Sequence, residues 1–435
     1  MGDDALTFWR GTMTFVRRVA VSKGSGAPDS PSCSSSLAVA TPSRRAYRPQ
    51  MAEQLQLTAT AISSDGLAVS RHPSGKVVFL EGALPGEEVV ATVVDERRHY
   101  LTARVTQVVT ASATRLEPRC GHVSEGCGGC QWQHVGIEAQ VEFKRQILID
   151  TIRRIGRIEC PQLSETVGLE PWNFRTSLRA TVVDGRAALR RARSNEGIPV
   201  PGCLVVHPLL AELLDGRRYR GAEEVLLRCG ARTGERLVSV RPRRIVADVP
   251  GDVRSDWVHE RAAGRTWRVS AASFFQSRPD GVDALADLVV AAASDVEPTV
   301  AVDLYSGVGV FAGVLAARGW SVTAVEGSAR AVRDAEANLA GLGVRVVRAD
   351  ATRWHPEQAA LVVADPSRAG LGSQGVSVVT ATGAVRVVLI SCDAASLARD
   401  ASLLRSDGYS LSSVTPVDLF PHTFHIEVVS VFDRN

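Results

Sequence analysis

The sequence predicts an α/β protein whose carboxyl-terminal part is a doubly wound sheet, preceded by a small β-barrel and a mixed α+β central region. Three observations carry this expectation. From residue 266 to 435, apolar strand-like runs alternate with helical stretches: TVAVDLYSG, WSVTAVEGS, VRVVRAD, ALVVADPSR and AVRVVLISCD. That alternation marks a largely parallel sheet with its ligand at the carboxyl ends of the strands. Between residues 54 and 110, short β-rich runs are separated by turn signals at Asp65-Gly66, Pro73 and Pro85-Gly86. Five strands in so short a stretch suit a small closed barrel of the oligonucleotide-binding kind. Residues 111–265 open on a cysteine cluster, continue into the amphipathic GIEAQVEFKRQILIDTIRRI, and then show β-like pieces such as RTSLRATVVDG and ERLVSVRPR.

With 435 residues, of which 45% are hydrophobic and 22% charged, the chain has room for two or three separate cores. No uncharged apolar run approaches the roughly 18 residues a spanning helix needs. The first residues, MGDDALTFWR, are acidic where a secretory signal is basic, so a cytoplasmic protein is expected, monomeric and without a membrane partner. A net charge of +3 does not by itself argue for nucleic acid. Lysine occurs only at Lys23, Lys76 and Lys144, a bias that fits a GC-rich genome. Residues 1–50 are rich in Ser, Pro, Gly and Ala and read as a disordered leader. Strand alternation begins only after Met51, and translation is expected to start there.

The chemistry concentrates in the carboxyl-terminal part. Gly307, Gly309 and Ala312 follow the first strand directly and open a helix, where missing side chains let backbone approach a ligand. Glu326 closes the next strand, placed to accept hydrogen bonds from ribose hydroxyls. This unit fits nucleotide-binding dehydrogenases and methyltransferases alike, and a nucleoside-bearing cofactor is expected. Further strands end in Asp350 and Asp365. The fifth ends in Ser391-Cys392 and is followed at once by a helical stretch. A helix beginning near Ala394 is expected to put its positive end by the sulfur and favour the thiolate. Near the end of the chain, VDLFPHTFHIEVVSVF offers His422, His425 and Glu427 as base candidates.

Eight cysteines in a chain without export signals point to metal or catalysis before disulfides. CGHVSEGCGGCQWQH holds Cys120, Cys127 and Cys130, and three thiolates need a fourth ligand. Cys203 leads, with Cys160 and Cys229 weaker. Zinc and iron–sulfur clusters share thiolate ligands, so spacing leaves both open.

Taken together, SCDAASLARD, VDLFPHTFHIE, DPSRAG, DLYSGVGVF, SFFQ and CGGCQWQH resemble the S-adenosylmethionine-dependent RNA uracil-5-methyltransferases. The resemblance covers nearly everything after Met51, and the barrel with its GALPGE turn is similar to the RNA-binding TRAM domain. It implies a Rossmann-like class I methyltransferase domain at the carboxyl terminus, with tRNA or rRNA as partner. Cys392 would be the nucleophile and Glu427 the base that removes the C5 proton. Gln276, Tyr305, Glu326, Asp350 and Asp365 would bind S-adenosylmethionine. Cys120, Cys127, Cys130 and Cys203 would hold a [4Fe-4S] cluster, with zinc as the alternative. The chain departs from the usual pattern at Leu204, Val310, Ser367, Asp393 and Ser396, and has one more residue than is usual between Cys120 and Cys127. Two rivals are an RNA cytosine-5 methyltransferase and a non-catalytic RNA-binding iron–sulfur protein. Glu427 and Ser367 argue against the first. The joint presence of Cys392, Glu427, Glu326 and Asp365 argues against the second.

Overall fold

The computed structural model describes residues 53–435 apart from Cys160, Arg244, Val246 and Ala247. The expected leader over residues 1–50, the start at Met51 and the weaker ligand candidate Cys160 lie outside the described residues.

The first β unit is a six-stranded sheet in the order Gln54–Thr58, Glu88–Glu96, Tyr100–Thr110, Val77–Glu81, Ala68–Arg71 and Ala61–Ile62. Its two outer strands are joined by Ala59 and Thr60 alone. So short a link cannot cross an open sheet, which therefore rolls until its edges meet. Strand alternation supplies the interior: Leu55 and Leu57, Val78 and Leu80, Val89 and Ala91, Leu101 and Ala103 pack inward. The run LQLTATAI, expected as one strand, is cut in two at Ala59. There the amides of Ala59 and Thr60 turn away to Glu87 O and Val69 O.

The central region is a second six-stranded sheet, ordered Val253–Arg254, Arg236–Arg241, Glu224–Cys229, Ser177–Val183, Arg186–Arg190 and Gly197–Ile198. The helix Pro208–Asp215 buries Leu210, Leu213 and Leu214 in its core. A hairpin, Trp257–Ala262 with Arg265–Ser270, then leads into the last part of the chain.

That last part is one seven-stranded sheet: β1 Val300–Leu304, β2 Ser321–Glu326, β3 Arg345–Arg348, β4 Leu361–Ala364, β5 Arg386–Ser391, β6 Tyr409–Val417 and β7 Glu427–Arg434. The spatial order is β3-β2-β1-β4-β5-β7-β6. β1 to β5 are parallel, and β7 runs antiparallel between β5 and β6. β4 is buried at every position, as a strand covered on both faces must be. The flanking helices are α1 Pro279–Ala293, α2 Val310–Ala316, α3 Ala329–Asn338, α4 Gly372–Ala381 and α5 Ala394–Ser406. Ser328 and Asp393 cap α3 and α5 by accepting from Ala331 N and Ser396 N. Two buried side chains of α3 dock the hairpin: Asp334 accepts from Ser270 and Ser273, and Asn338 exchanges bonds with the Arg268 backbone. Among the described residues no helix is long and apolar enough to cross a membrane.

The helix Ile137–Arg154, which the sequence places in the central region, packs on α5 and buries Ile147, Leu148 and Ile152 in the core of the seven-stranded sheet. Its Lys144 Nζ lies 2.6 Å from Asp418 Oδ1, and the two side chains are only 3% and 2% exposed. The same ammonium donates to Phe420 O at 3.0 Å. Just before this helix, Trp132 donates from its indole to Gly66 O of the barrel at 3.0 Å. Gly66 has φ +74°, and a Cβ there would stand 2.5 Å from Phe424 Cβ. The barrel turn therefore rests directly on the segment that precedes β7.

Removing one partner of a buried ion pair strands the other charge. Lys144→Met should lower the free energy of unfolding by about 3–5 kcal/mol. Adding Asp418→Leu should recover most of that loss, which denaturant unfolding of the single and double variants will measure.

Candidate active site

The carboxyl ends of β1, β2 and β3 form a cradle. After β1 the chain turns through Tyr305, Gly307 and Gly309 with φ of +62°, +55° and +94°. Gly309 must lack a side chain, because a Cβ would come within 2.7 Å of Leu339. At Gly307 an added Cβ would meet nothing within 4 Å, so backbone faces open space there. A non-glycine residue held at positive φ, as Tyr305 is, is strained and is found where function or packing insists on it. Glu326, ending β2, accepts from Gly307 N at 2.9 Å and from Ser328 N at 2.6 Å, which locks the turn. Asp303 of β1 is fully buried and accepts from Ala312 N at 2.8 Å. Burial pushes its carboxyl up to about 8, with Asp365 and Glu326 adding to the rise, so it holds its proton at neutral pH. Asp350, beyond β3, is largely exposed, and its bonds from the Thr352 hydroxyl and amide hold it low. Burial lifts the Tyr305 phenol to about 12, with Asp350 nearby. Gln276 lies half-buried just ahead of α1.

The ends of β4 and β5 and the start of β7 form the second half. Parallel β4 and β5 deliver Asp365 and Cys392 to one edge of the sheet. β7 runs the other way, and Ser391 pairs with Val428. Glu427 therefore begins its strand where Cys392 leaves its own. Glu427 is 2% exposed. Burial, then the Asp365 carboxylate, raise its pKa well above the usual range, while the Arg368 guanidinium opposes. Burial raises Asp365 as well. Two carboxyls in one dry pocket do not both ionise freely, so the pair keeps a proton in the neutral range.

The expectation of a favoured thiolate is overturned. α5 does begin at Ala394, but burial, Glu427 and Asp365 push the Cys392 thiol up to about 12, against the pull of Arg368. Desolvation and two acidic neighbours outweigh one helix terminus.

The loop after β4 is held from a distance. Asp400 of α5 accepts from Leu371 N at 2.7 Å and Gly372 N at 3.1 Å. Gly370, at φ +70°, passes so close that a Cβ would stand 2.2 Å from Asp400 Oδ2. Arg368, in this loop, is the cation facing both Cys392 and Glu427, and its Nη2 lies 3.4 Å from the His425 ring. Neither DPSRAG nor LARD announces in sequence a role for Arg368 or Asp400. The only available signal was a charged residue inside each motif.

The histidines are placed differently from the carboxylate. His422 has φ +65°, packs its ring 4.1 Å from Trp172, and is pushed down to about 4 by burial. His425 lies between Phe420 and Phe424 and is pushed down to about 3 by burial, with Arg368 adding to the fall. Both are neutral, and of the three base candidates Glu427 is the one whose charge reaches Cys392.

Cys120, Cys127, Cys130 and Cys203 line one cavity, together with Arg175 and apolar side chains such as Leu178 and Leu189. All are free thiols. Burial raises Cys130 to about 11 and also raises Cys127 and Cys203. Neighbouring cysteines add to each rise, and Arg175 opposes it. Among the described residues no three His, Cys, Asp or Glu side chains are grouped closely enough to hold one metal ion. The sulfurs ring a cavity and do not close on a single point. Cys229, the weaker fourth candidate, lies elsewhere in the central core, 3.7 Å from His207 Nδ1.

Comparison with known proteins follows this architecture. Residues 53–106 match the TRAM domain family. An uncharacterized RNA methyltransferase of Streptomyces avermitilis is 32% identical over 427 residues, covering 88% of this chain and 99% of the relative. The 23S rRNA (uracil(1939)-C(5))-methyltransferase RlmD of Methylococcus capsulatus is 30% identical, over 89% of this chain and 98% of its own. Among solved structures, the Pyrococcus abyssi tRNA (uracil-54, C5)-methyltransferase in complex with S-adenosyl-L-homocysteine superposes with a TM-score of 0.68 at 21% identity. It spans 87% of this chain and 99% of that one. This last likeness is one of fold.

A thiol far below its titration point reacts in proportion to a small thiolate fraction. In RNA-free protein, alkylation of Cys392 by iodoacetamide should rise about tenfold per pH unit between about pH 7 and about pH 10. Glu427→Gln should speed it towards the alkaline end of that range, where Glu427 is ionised and the change removes a neighbouring negative charge. Peptide mass mapping over a pH series tests both, and a rate that levels off near neutrality would contradict the assignment.

Proposed function

The chain belongs to the S-adenosylmethionine-dependent RNA uracil-5-methyltransferases, and we propose that it methylates C5 of a uridine through a transient bond between Cys392 and C6. The observation that carries this reading is the shared pocket of Cys392, Glu427 and Asp365 at one sheet edge, with Arg368 as its cation. Uracil C5 is a weak nucleophile. Addition of the Cys392 thiolate to C6 moves the C5–C6 π pair toward O4 and makes C5 electron-rich, splitting one hard step into easier ones. S-adenosylmethionine, when bound, supplies the methyl group to C5 as a sulfonium donor. Glu427 then takes the C5 proton, the C5–C6 double bond re-forms, and the thiolate leaves.

The same pocket explains how a high-pKa thiol can serve. Its thiolate is repelled by two acidic neighbours and hydrogen-bonded by little, so it is strongly nucleophilic. Bonding to carbon carries that charge away into the base. Asp365 lies at the junction of the two halves of the site, and Gln276, Tyr305, Glu326 and Asp350 complete the cofactor residues in this reading. The open space at Gly307 and the locked turn above Glu326 fit a nucleoside-bearing ligand. RNA must offer the uridine unstacked, from a loop or flipped out at a cost of roughly a few kcal/mol. Ribosomal RNA is the favoured substrate class over transfer RNA. The relative named for 23S rRNA matches at 30% over nearly its whole length, whereas the transfer-RNA enzyme shares fold at 21%.

We further infer that Cys120, Cys127, Cys130 and Cys203 hold a [4Fe-4S] cluster. Burial and neighbouring cysteines raise the thiols of Cys127, Cys130 and Cys203 around a single cavity that Cys120 also lines, a set that suits a cation between them. A lone zinc ion, with Zn–S bonds of about 2.3 Å, needs its sulfurs drawn together more tightly. Such a cluster, held by these four cysteines, would tie Cys203 to the Cys120–Cys130 loop.

Three outcomes test these readings. Cys392→Ala should form no denaturation-resistant adduct with unmodified rRNA, and Glu427→Gln should accumulate one; turnover surviving in either defeats the assignment. The kcat/KM should rise with pH from about pH 6 to about pH 9, since Cys392 and Glu427 must both be deprotonated and both are raised. Protein purified without oxygen should be brown and contain iron, whereas colourless protein with stoichiometric zinc would overturn the cluster alone.

A further inference from the structure

Gln140 and Lys144 stand one turn apart on the helix Ile137–Arg154, so they share a face. That face is interior: Gln140 is 0% exposed. Polar side chains persist there only when their hydrogen bonds are met, and each has a partner on the segment that leads to Glu427. Lys144 takes Asp418 and Phe420 O. Gln140 Oε1 accepts from His422 N at 2.7 Å, while its Nε2 donates to Trp132 O at 3.1 Å and to Val135 O at 2.8 Å. Trp132 N in turn donates to His422 O at 2.8 Å.

One amide thus ties the backbone beyond Cys130 to a residue whose φ is +65°. A left-handed conformation at a side-chain-bearing residue costs of order 1–3 kcal/mol and lasts only where its surroundings over-determine it. From His422 the chain has a single further turn before β7. There the Thr423 hydroxyl donates to Phe420 O and accepts from His425 N, and Glu427 follows. Cys392 is placed by other means, the end of β5 and the cap of α5, and none of the bonds that place it involves residues 418–422.

We propose that Gln140 is a positioning residue for Glu427, governing removal of the C5 proton and not formation of the Cys392–C6 bond. This rests on the reaction proposed above. Misplacing the carboxylate by a fraction of an ångström slows the last step, so the covalent species should build up. A merely structural defect would lower adduct and turnover together.

The test uses the full chain with S-adenosylmethionine and an unmodified 23S rRNA transcript, read on a denaturing gel and by methyl transfer. Gln140→Met should lower kcat about 10–100-fold while the steady-state adduct rises several-fold and cofactor affinity stays within about twofold of the parent. Gln140→Glu keeps an acceptor for His422 N. It should restore part of the turnover at about pH 6, where a buried acid is protonated and donates to Trp132 O, and lose it again as the acid ionises. Unchanged turnover, or turnover falling without adduct, overturns the proposal. If Gln140→Met fails to bind cofactor, the Glu variant decides, and parental adduct levels there at about pH 9 overturn it. Glu427→Gln is run alongside. Should it trap no adduct, the reaction itself is wrong; should it trap adduct while the Gln140 variants do not, only this inference fails.

Discussion

A single reversal of strand direction makes the site possible. Five parallel strands deliver their carboxyl ends to one edge, and a catalytic acid or base could have been added there by any following loop. Instead β7 inserts antiparallel between β5 and β6, with Ser391 opposite Val428. A residue on a strand is held more precisely than one on a loop. Glu427 is thereby fixed beside Cys392 by sheet register, and its carboxyl is forced out of water by the same packing.

Burial then sets the electrostatics. A cysteine at a helix start, seen in isolation, should ionise easily. Here Glu427 and Asp365 are its neighbours, and together with burial they suppress ionisation. The arrangement keeps Cys392 protonated at rest, in a protein with five other free thiols among the described residues. Arg368 moderates the repulsion without cancelling it. The cofactor half is built on the opposite principle, with Glu326 and Asp350 satisfied by backbone amides and a hydroxyl.

Much of this was legible in the chain. Strand and helix alternation after residue 266 gave the sheet, and Cys392 stood out because an apolar strand ends on it. The barrel was legible from turn signals, though not the break at Ala59, which exists only to bring two distant edges together. Less visible were residues whose meaning comes from partners far away. Arg368 and Asp400 look like surface charges in sequence, and Gln140 and Lys144 look like the polar side of an amphipathic helix. Their face is in fact interior, because it covers the chain just ahead of β7. The acidity of Cys392 is hidden in sequence for the same reason: nothing local announces that Glu427 and Asp365 will lie beside it.

The contact between Gly66 and Phe424 has one more implication. A β-turn of the barrel touches the approach to β7 so closely that no methyl group could fit between them, and the Trp132 indole pins the turn from its other side. The barrel is not a tethered accessory free to swing. Each point on its surface stands at a set distance from Cys392, as the two jaws of a caliper do.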